Sequence, residues 1–359
     1  MREHIGNLGK LIKRRLRRSG RNQEKKCAPP LNVEYLSYSF SAQTIRLHIP
    51  ELRAWPAASG ATSSEDYLND HLVWRMYTEP WKDGGEEAMI KASVKEIGIV
   101  RNAFPLVPRA EAVLAMAAWF SVLLLVDDLV EDMGTAQAHE ALSTSIRILR
   151  GSSAAYPDEP EKPVAKVCHA VRSLWARTNY LLDEPAANAM LMDIKACLEG
   201  QLEELQYRQL PCSSLSQYAR VRRHTIGAMP FLTLVCLELN NHISAKDAKA
   251  LTALKDLVVS IVFLQNDMVG LEKDLAEGTT MNTFMVMSHS RATSPVPTPG
   301  NLLEVASQHN ALVSEVLARY RTMFSLQSSD GYRLAAESVI SFISTHLIWA
   351  KRSKRYTLG

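Results

Sequence analysis

Apolar residues recur at helical spacing along most of this chain, and the pattern continues from about residue 105 to the end. No convincing run of alternating apolar and polar residues competes with it, so the pattern predicts an all-α fold. Residues 27–65 contain prolines, serines and short extended-looking pieces, which predicts a loop-rich N-terminal wrap around the helices. The predicted helices cover residues 66–78, 86–100, 107–133, 136–150, 162–182, 185–208, 213–240 with a break, 244–276, 300–325 and 330–354.

The most apolar stretch runs from Ala112 to Val126, 15 residues that include Ser121. It is shorter than a membrane span requires, so we expect a core helix. The chain has 359 residues, 47% of them apolar, and no internal repeat, which favours one large helical domain. Ser290 to Gly300, with prolines at 295, 297 and 299, is predicted to be an exposed loop that cannot be helical.

Charge separates the N-terminus from the rest of the chain. Residues 1–26 hold ten Lys or Arg and two Glu, a local charge of +8 that leaves the remainder at −5. We therefore predict a basic, disordered extension over residues 1–30 and a folded domain over residues 31–359. The extension could be solvated without an essential role, contact an anionic membrane surface weakly, or be a mitochondrial-type presequence. It has no interleaved aromatic residues, so we expect no nucleic-acid partner.

The five cysteines lack CxxC spacing and have no histidines at metal-ligand spacing. This pattern indicates reduced thiols and a cytoplasmic protein without a zinc site. We expect a monomer or a homodimer.

Two acidic clusters carry the candidate chemistry, and each directly follows an apolar stretch. The first is Asp127-Asp128-Leu129-Val130-Glu131-Asp132, and the second runs from Asn266 to Asp274. Each is therefore predicted to be the polar end of a buried helix. Carboxylates at the rim of an apolar cavity suggest magnesium ions that hold a diphosphate above a hydrocarbon substrate.

Helical geometry brings members of each cluster together. Asp127 and Glu131 are four residues apart and converge on one helix face, where like charges favour a hard divalent cation such as Mg²⁺. Asn266, Gly270 and Asp274 lie at positions i, i+4 and i+8, which also share a face. Asn and Asp can supply ligand oxygens, whereas Gly270 has no side chain to do so.

The two clusters together resemble the metal motifs of class I terpene synthases, especially the fungal sesquiterpene synthase type. Those motifs are DDxx(D/E) and NDxx(S/T)xxx(E/D), the second with a Lys before the acid and then Gly and Asn. Here Lys273-Asp274 is followed by Gly278 and Asn282. Arg222 to Gly227 reads RRHTIG, similar to the RRxTxG element of the family, and Arg355-Tyr356 is similar to its RY pair. The N-terminal HIPEL at residues 48–52 and Trp55-Pro56 extend the resemblance to about residues 48–356.

The resemblance implies a single-domain helical bundle around a central apolar cavity. It also implies three Mg²⁺ ions, two bound by Asp127 and Glu131 and the third by Asn266, Asp274 and whatever replaces a hydroxyl at Gly270. Arg223, Lys273, Arg355 and Tyr356 would bind the substrate diphosphate, with Arg355 also pairing with Asp128. These residues are named from the matching motif positions.

Further roles follow from the same resemblance. A helix break at Gly227 would aim a backbone carbonyl at the substrate, and Pro230 favours such a break. Arg220 could exchange roles with Arg223. The loop at residues 290–300 would close as a lid. Candidates for the aromatic cavity wall are Phe104, Trp119, Phe120 and Phe263.

The implied reaction is ionisation and cyclisation of a prenyl diphosphate, for which we expect farnesyl diphosphate. Chain-elongating prenyl transferases normally carry two aspartate-rich motifs, and the second motif here begins with Asn266. A head-to-head coupling enzyme similar to squalene or phytoene synthase is a second alternative. A degenerate, non-catalytic prenyl-binding protein is a third, because Gly270 and Asp274 depart from the family pattern.

Overall fold

The structure is a computed structural model of the chain. It describes residues 32–40, 43–51, 64–81, 85–151, 161–208, 212–239, 245–290, 298–324 and 330–356. The predicted basic extension, Trp55-Pro56 and residues 291–297 of the predicted lid lie outside the described residues. The domain boundary after residue 30 therefore stays a prediction.

Helices dominate the described residues, which confirms the all-α prediction. They are α1 (Ser64–Thr78), α2 (Gly85–Ala103), α3 (Ala110–Glu131), α4 (Thr135–Leu149), α5 (Pro163–Leu181), α6 (Glu184–Glu204), α7 (Leu215–Thr225), α8 (Met229–Leu239), α9 (Ala245–Glu277), α10 (Thr283–Ser290), α11 (Pro299–Phe324) and α12 (Asp330–Arg352). Helix α10 was not predicted, and Pro299 opens α11, so the expected loop is shorter than residues 290–300. Proline is tolerated in a first helical turn because its missing N–H is not needed there.

A two-stranded antiparallel hairpin precedes the bundle, where the sequence had predicted loops. It pairs β1 (Val33–Phe40) with β2 (Gln43–Pro50). In β2, Ile45, Leu47 and Ile49 are buried while the alternate positions are more exposed, so the segment has the period of two that marks a strand. The prediction of a loop-rich segment is wrong for these residues.

The apolar helix α3 lies in the interior of the bundle. It is long and apolar enough to cross a membrane by composition, but most of it is buried against other helices. The prediction of a core helix is therefore confirmed. Its last turn carries the first acidic cluster, and α9 carries the second cluster in its C-terminal third.

The helix that carries Arg222 and Arg223 ends abruptly, as predicted. Helix α7 stops at Thr225 and α8 starts at Met229, with Gly227 between them at φ +66°. An added Cβ at Gly227 would lie 2.6 Å from Leu123 Cδ2, so both the backbone and the neighbouring helix require glycine. This break separates α7 from α8 at the point where the chain packs closely against Leu123 of α3.

Candidate active site

The bundle encloses a cavity of about 910 Å³, a size typical of small-molecule sites. Its apolar wall includes Phe104, Phe120, Phe231, Phe342 and Trp349. The Phe104 ring stacks on Phe342 at a centroid distance of 5.1 Å and on Phe231 at 6.2 Å. Ring faces of this kind can stabilise a positive charge without reacting with it.

The predicted aromatic wall is correct in part. Phe104 and Phe120 line the cavity, but Trp119 is buried behind it and donates its indole N–H to Gly227 O at 2.9 Å. Phe263 packs against Tyr218 in a second apolar cluster. The sequence pattern did not indicate that Phe231, Phe342 and Trp349 line the cavity. An apolar pattern predicts that a helix face is buried, but it does not show whether that face packs against a neighbour or borders a cavity.

The first acidic cluster forms one side of the cavity rim. Asp127 and Glu131 line the cavity, while Asp128 does not. Arg355 reaches both aspartates: it forms an ion pair with Asp127, and its Nη1 donates to Asp128 Oδ1 at 2.5 Å. Partial burial raises the pKa of Glu131, and the charge of Asp127 adds to the increase. The predicted Arg355–Asp128 pair is present.

These acids stand at a helix C-terminus, where the helix dipole is already negative. Arg208 offsets this unfavourable placement because it donates from Nη1 to Met133 O at 2.7 Å and from Nη2 to Val130 O at 2.6 Å. Val130 O also accepts from Met133 N at 3.2 Å, so Arg208 adds a positive charge and a second donor at this negative helix end. Arg208 also lines the cavity, although it belongs to no motif in the sequence.

The second cluster forms the opposite side of the rim on α9. Asn266, Gly270, Lys273 and Asp274 all line the cavity. Asn266 uses both ends of its amide: Oδ1 accepts from Arg222 Nη2 at 2.7 Å, and Nδ2 donates to the Tyr356 hydroxyl at 2.7 Å. Lys273 pairs with Glu277 at 3.3 Å. The structure thus brings the predicted residues of this motif together.

Asp274 is held by a residue from the turn after α9. Its Oδ2 accepts from Asn282 Nδ2 at 2.7 Å, and the same nitrogen donates to Asp267 O at 3.0 Å. Burial raises the pKa of Asp274 to about 6, despite the hydrogen bond from Asn282. Gly278 ends α9 at φ +69°, a conformation that glycine adopts without strain and that turns the chain back toward the rim.

A buried carboxylate, Asp267, joins three helices beneath the rim. It accepts from the Tyr218 hydroxyl, from Thr283 N at 3.0 Å and from Thr283 Oγ1 at 2.5 Å. Arg222 Nε lies 3.4 Å from Asp267 Oδ1. Sequence reasoning missed this role, although Asp267 directly follows Asn266 in the motif.

The two adjacent arginines of α7 occupy different environments. Arg222 lines the cavity and holds Asn266, whereas Arg223 is exposed and donates from Nε to Ala219 O at 3.2 Å. Arg220 is also exposed and pairs with Glu203. The prediction that Arg223 faces the diphosphate disagrees with this placement, because consecutive helical residues point about 100° apart. Of Arg220, Arg222 and Arg223 on α7, Arg222 is the one that lines the cavity.

Gly227 provides the helix break, but its carbonyl oxygen is already hydrogen-bonded and does not face the cavity. Its oxygen accepts from Trp119, and its neighbours Ile226 and Ala228, not Gly227 itself, line the cavity. The predicted substrate-facing role of the Gly227 carbonyl therefore disagrees with this structure. The break itself is present.

The oxygen donors at the rim fit a hard divalent cation. Asp127, Glu131, Asn266 and Asp274 provide oxygen ligands only, and Mg²⁺ typically takes one or two carboxylates together with water and substrate phosphate oxygens. Across the described ranges, no group of three or more His, Cys, Asp or Glu side chains converges to hold a metal by itself. Arg355 and Arg222 instead neutralise the oxygens that a cation would contact.

A family model described as terpene synthase family 2, C-terminal metal binding, matches residues 118–296 of the chain. This region contains both acidic clusters and the break between α7 and α8. The match therefore includes the two acidic sides of the cavity rim but not Arg355 and Tyr356.

Curated relatives agree with this match. Pentalenene synthase of Streptomyces exfoliatus is 23% identical over 256 residues, which cover 67% of this chain and 72% of that protein. The (-)-beta-caryophyllene synthase ((2E,6E)-farnesyl diphosphate cyclizing) of Saccharothrix espanaensis is 25% identical over 244 residues, covering 65% and 68%. Both organisms are bacteria, so these relatives do not confirm the predicted fungal type.

The fold agrees with a solved structure of aristolochene synthase from Penicillium roqueforti. The TM-score is 0.58 at 17% identity, and the match covers 83% of this chain and 99% of that chain. The helical bundle is thus the class I terpenoid synthase fold, as predicted. Taken with the family match and the curated relatives, it identifies the chain as a terpene synthase.

Proposed function

We propose that the chain is a Mg²⁺-dependent cyclase that ionises farnesyl diphosphate and converts the resulting cation to a sesquiterpene. One observation carries the proposal: an aromatic-walled cavity opens at a rim where acidic clusters on α3 and α9 face cationic side chains. Such a site can hold a charged diphosphate at the rim and a hydrocarbon chain inside.

The rim residues have separate roles in this proposal. Asp127 and Glu131 on one side and Asn266 and Asp274 on the other would hold the Mg²⁺ ions, of which we propose three, while Gly270 would offer them no side-chain ligand. When bound, Mg²⁺ supplies Lewis-acid stabilisation of the diphosphate leaving group.

Cationic side chains bind the departing diphosphate directly. Arg222 and Lys273 line the cavity, and Arg355 and Tyr356 lie beside them on the turn after α12. We assign to Arg222 the diphosphate contact that the sequence had suggested for Arg223. Charged donors fixed before the reaction stabilise negative charge better than water that must reorganise.

The interior protects the carbocation that forms when the C–O bond breaks. Phe104, Phe231 and Phe342 present apolar ring surfaces that exclude water and attract a cation. The C15 substrate is supported by the farnesyl diphosphate in the name of the caryophyllene synthase relative. Four described cysteines are buried free thiols, which supports the cytoplasmic location that we also propose.

Incubation with one prenyl diphosphate at a time tests the substrate. Purified protein with Mg²⁺ is given geranyl, farnesyl or geranylgeranyl diphosphate, and volatile products are analysed by mass spectrometry. We expect cyclic C15 hydrocarbons from farnesyl diphosphate and little from the other two. A coupled C30 product would favour the head-to-head enzyme, and the absence of turnover with all three would favour the prenyl-binding protein.

Two variants make the test specific to the rim. Asp127→Asn removes a proposed ligand charge and should nearly abolish turnover, whereas Glu272→Gln removes a charge from an exposed position of α9 and should not. Equal activity in both variants would contradict the proposed metal site.

A further inference from the structure

The aromatic wall of the cavity contains one histidine, His346 of α12, among the described residues that line it. Its ring lies 5.8 Å from both the Phe342 and the Trp349 ring centroids, and the residue is only 7% exposed. Burying the polar nitrogens of an imidazole ring in an apolar wall costs free energy unless they form hydrogen bonds.

One nitrogen of His346 has a partner whose orientation is fixed. Nδ1 lies 2.9 Å from Gln265 Oε1, and Gln265 Nε2 lies 3.1 Å from the backbone oxygen of Ile343. A carbonyl oxygen can only accept, so the amide nitrogen must face Ile343 and the amide oxygen must face His346. His346 therefore carries its proton on Nδ1.

The hydrogen-bond network continues from Gln265 to the β1–β2 hairpin, and each group in it has one consistent role as donor or acceptor. Gln265 Nε2 also lies 3.1 Å from His309 Nε2, which must accept, so His309 donates from Nδ1 to Asn310 Oδ1 at 3.1 Å. Asn310 also accepts from His48 N at 2.8 Å and donates to Arg46 O at 3.0 Å. Backbone groups at both ends therefore fix the direction of the hydrogen bonds.

The other nitrogen of His346 is left with an unprotonated lone pair. Within the described ranges, His346 Nε2 has no hydrogen-bond partner, and the atom is not fully buried. His346 lines the cavity and its Nδ1 is held by Gln265, so Nε2 is the ring nitrogen left for a group inside the cavity. Burial lowers the pKa of His346 to about 3, so the ring is neutral near pH 7.

We infer that His346 removes the proton that ends the carbocation reaction and thereby fixes the position of the product's double bond. The inference rests on the proposed cyclisation. A C–H bond beside the cationic carbon breaks, its electron pair becomes the new π bond, and Nε2 takes the proton to form an imidazolium.

The energetics of this step are favourable although the imidazole is a weak base. A C–H bond next to a carbocation is a far stronger acid than an imidazolium, so a low pKa does not prevent the transfer. The same low pKa makes the imidazolium release its proton readily to water or to a diphosphate oxygen when the product leaves. The neutral ring is then restored with its proton on Nδ1.

Two variants separate this role from packing. His346→Phe keeps a ring of similar size and His346→Gln keeps a polar side chain, but neither has an imidazole lone pair. His139→Gln, which changes an exposed histidine of α4, is the matched control. Diphosphate release and the product pattern from farnesyl diphosphate are measured for each protein, with circular dichroism as a check on folding.

We expect both His346 variants to release diphosphate at a rate within about five-fold of wild type, because ionisation occurs at the rim. The main alkene should fall about ten-fold as a share of products, replaced by isomeric alkenes or alcohols formed by water capture. An unchanged product pattern, or an equal fall in diphosphate release and in every product, would overturn the inference. Wild-type product formation tests the proposed cyclisation separately.

A second measurement does not need turnover. Nitrogen-15 spectra of the wild-type protein, with His346 assigned through its variants, report which ring nitrogen is protonated. We expect a neutral ring with Nδ1 protonated and Nε2 bare. A protonated Nε2 would overturn the inference even if the products changed.

Discussion

Arg222 donates a hydrogen bond from Nη2 to Asn266 Oδ1 at 2.7 Å. This is the oxygen that a metal ion bound at Asn266 would contact. Arg355 similarly pairs with Asp127 on the facing helix. Both arginines compensate acceptors whose charge or dipole would otherwise face the cavity unpaired. In the proposed mechanism, binding of metal and diphosphate would release both arginines, and the freed guanidiniums would then contact the diphosphate.

The first prediction compares the two adjacent arginines. Arg222→Gln should lower diphosphate release by about 100-fold or more, because it removes a fixed charged donor from the rim. Arg223→Gln should stay within about three-fold of wild type, since an exposed side chain contributes little. Steady-state rates with farnesyl diphosphate check both variants, and a larger loss at Arg223 would restore the assignment made from sequence.

The second prediction concerns Gly270, the position without a side-chain ligand. A Cβ there would lie 3.4 Å from Asp274 Oδ2 and 3.5 Å from Tyr356 Cδ1, so serine fits with small adjustments. Gly270→Ser should lower the Mg²⁺ concentration for half-maximal rate about three-fold, because a hydroxyl replaces water as a ligand. A magnesium titration measures this.

Gly98→Ser is the control for Gly270→Ser, because it gives the same gain in helix propensity on α2, where a Cβ meets nothing within 4 Å. It should leave the magnesium titration unchanged. If Gly270→Ser needs more metal or makes different products, the glycine makes room for Tyr356 and not for a water ligand.

The third prediction concerns the break between α7 and α8. Gly227→Ala should lower the free energy of unfolding by about 3 kcal/mol, because φ is positive and the new methyl group overlaps Leu123. Gly151→Ala, at φ +77° with open space around it, should cost only about 1 kcal/mol. Urea unfolding gives both values, and equal losses would mean that the contact with Leu123 relaxes freely.

The fourth prediction follows from the raised pKa of Asp274. The pKa is about 6 in the folded protein against an ordinary value of 3.8. The folded state therefore holds the proton more tightly, and its stability falls as pH rises from about 4 to about 6. Asp274→Asn should make the metal-free protein about 1 to 3 kcal/mol more stable at pH 7.5, with the difference vanishing near pH 4.

Thermal unfolding in EDTA across this pH range checks the effect at Asp274. Glu272→Gln is the matched control, because it removes a nearby charge that is exposed and should change stability little at either pH. A destabilised Asp274→Asn protein at pH 7.5 would show that the carboxylate supports the fold without a metal.

The sequence predicted the bundle because apolar runs such as Ala112–Val126 determine which segments must be buried. It missed β2, whose alternation of Ile45, Leu47 and Ile49 was readable but short. It also missed α10, which is only eight residues long and lies beside the predicted loop. Short elements gain their stability from packing, which the sequence shows poorly.

The motifs located the rim but did not determine its details. Arg222 and Arg223 differ only in helical phase, and that phase is set by contacts of α7 with Asn266 and Asp267 on α9. Arg208 and His346 match no motif, because their roles depend on carbonyls and amides that only the folded chain brings near them. Such contacts between distant segments cannot be derived from spacing.

The central claim is tested most directly by the stoichiometry of a single-substrate reaction. Purified protein, farnesyl diphosphate and Mg²⁺ are mixed, and released diphosphate and C15 hydrocarbon are quantified together, with EDTA added to a parallel sample. We predict one diphosphate for each hydrocarbon molecule and neither product in EDTA. Release of two diphosphates for each C30 product, or no release in the presence of Mg²⁺, would contradict a farnesyl diphosphate cyclase.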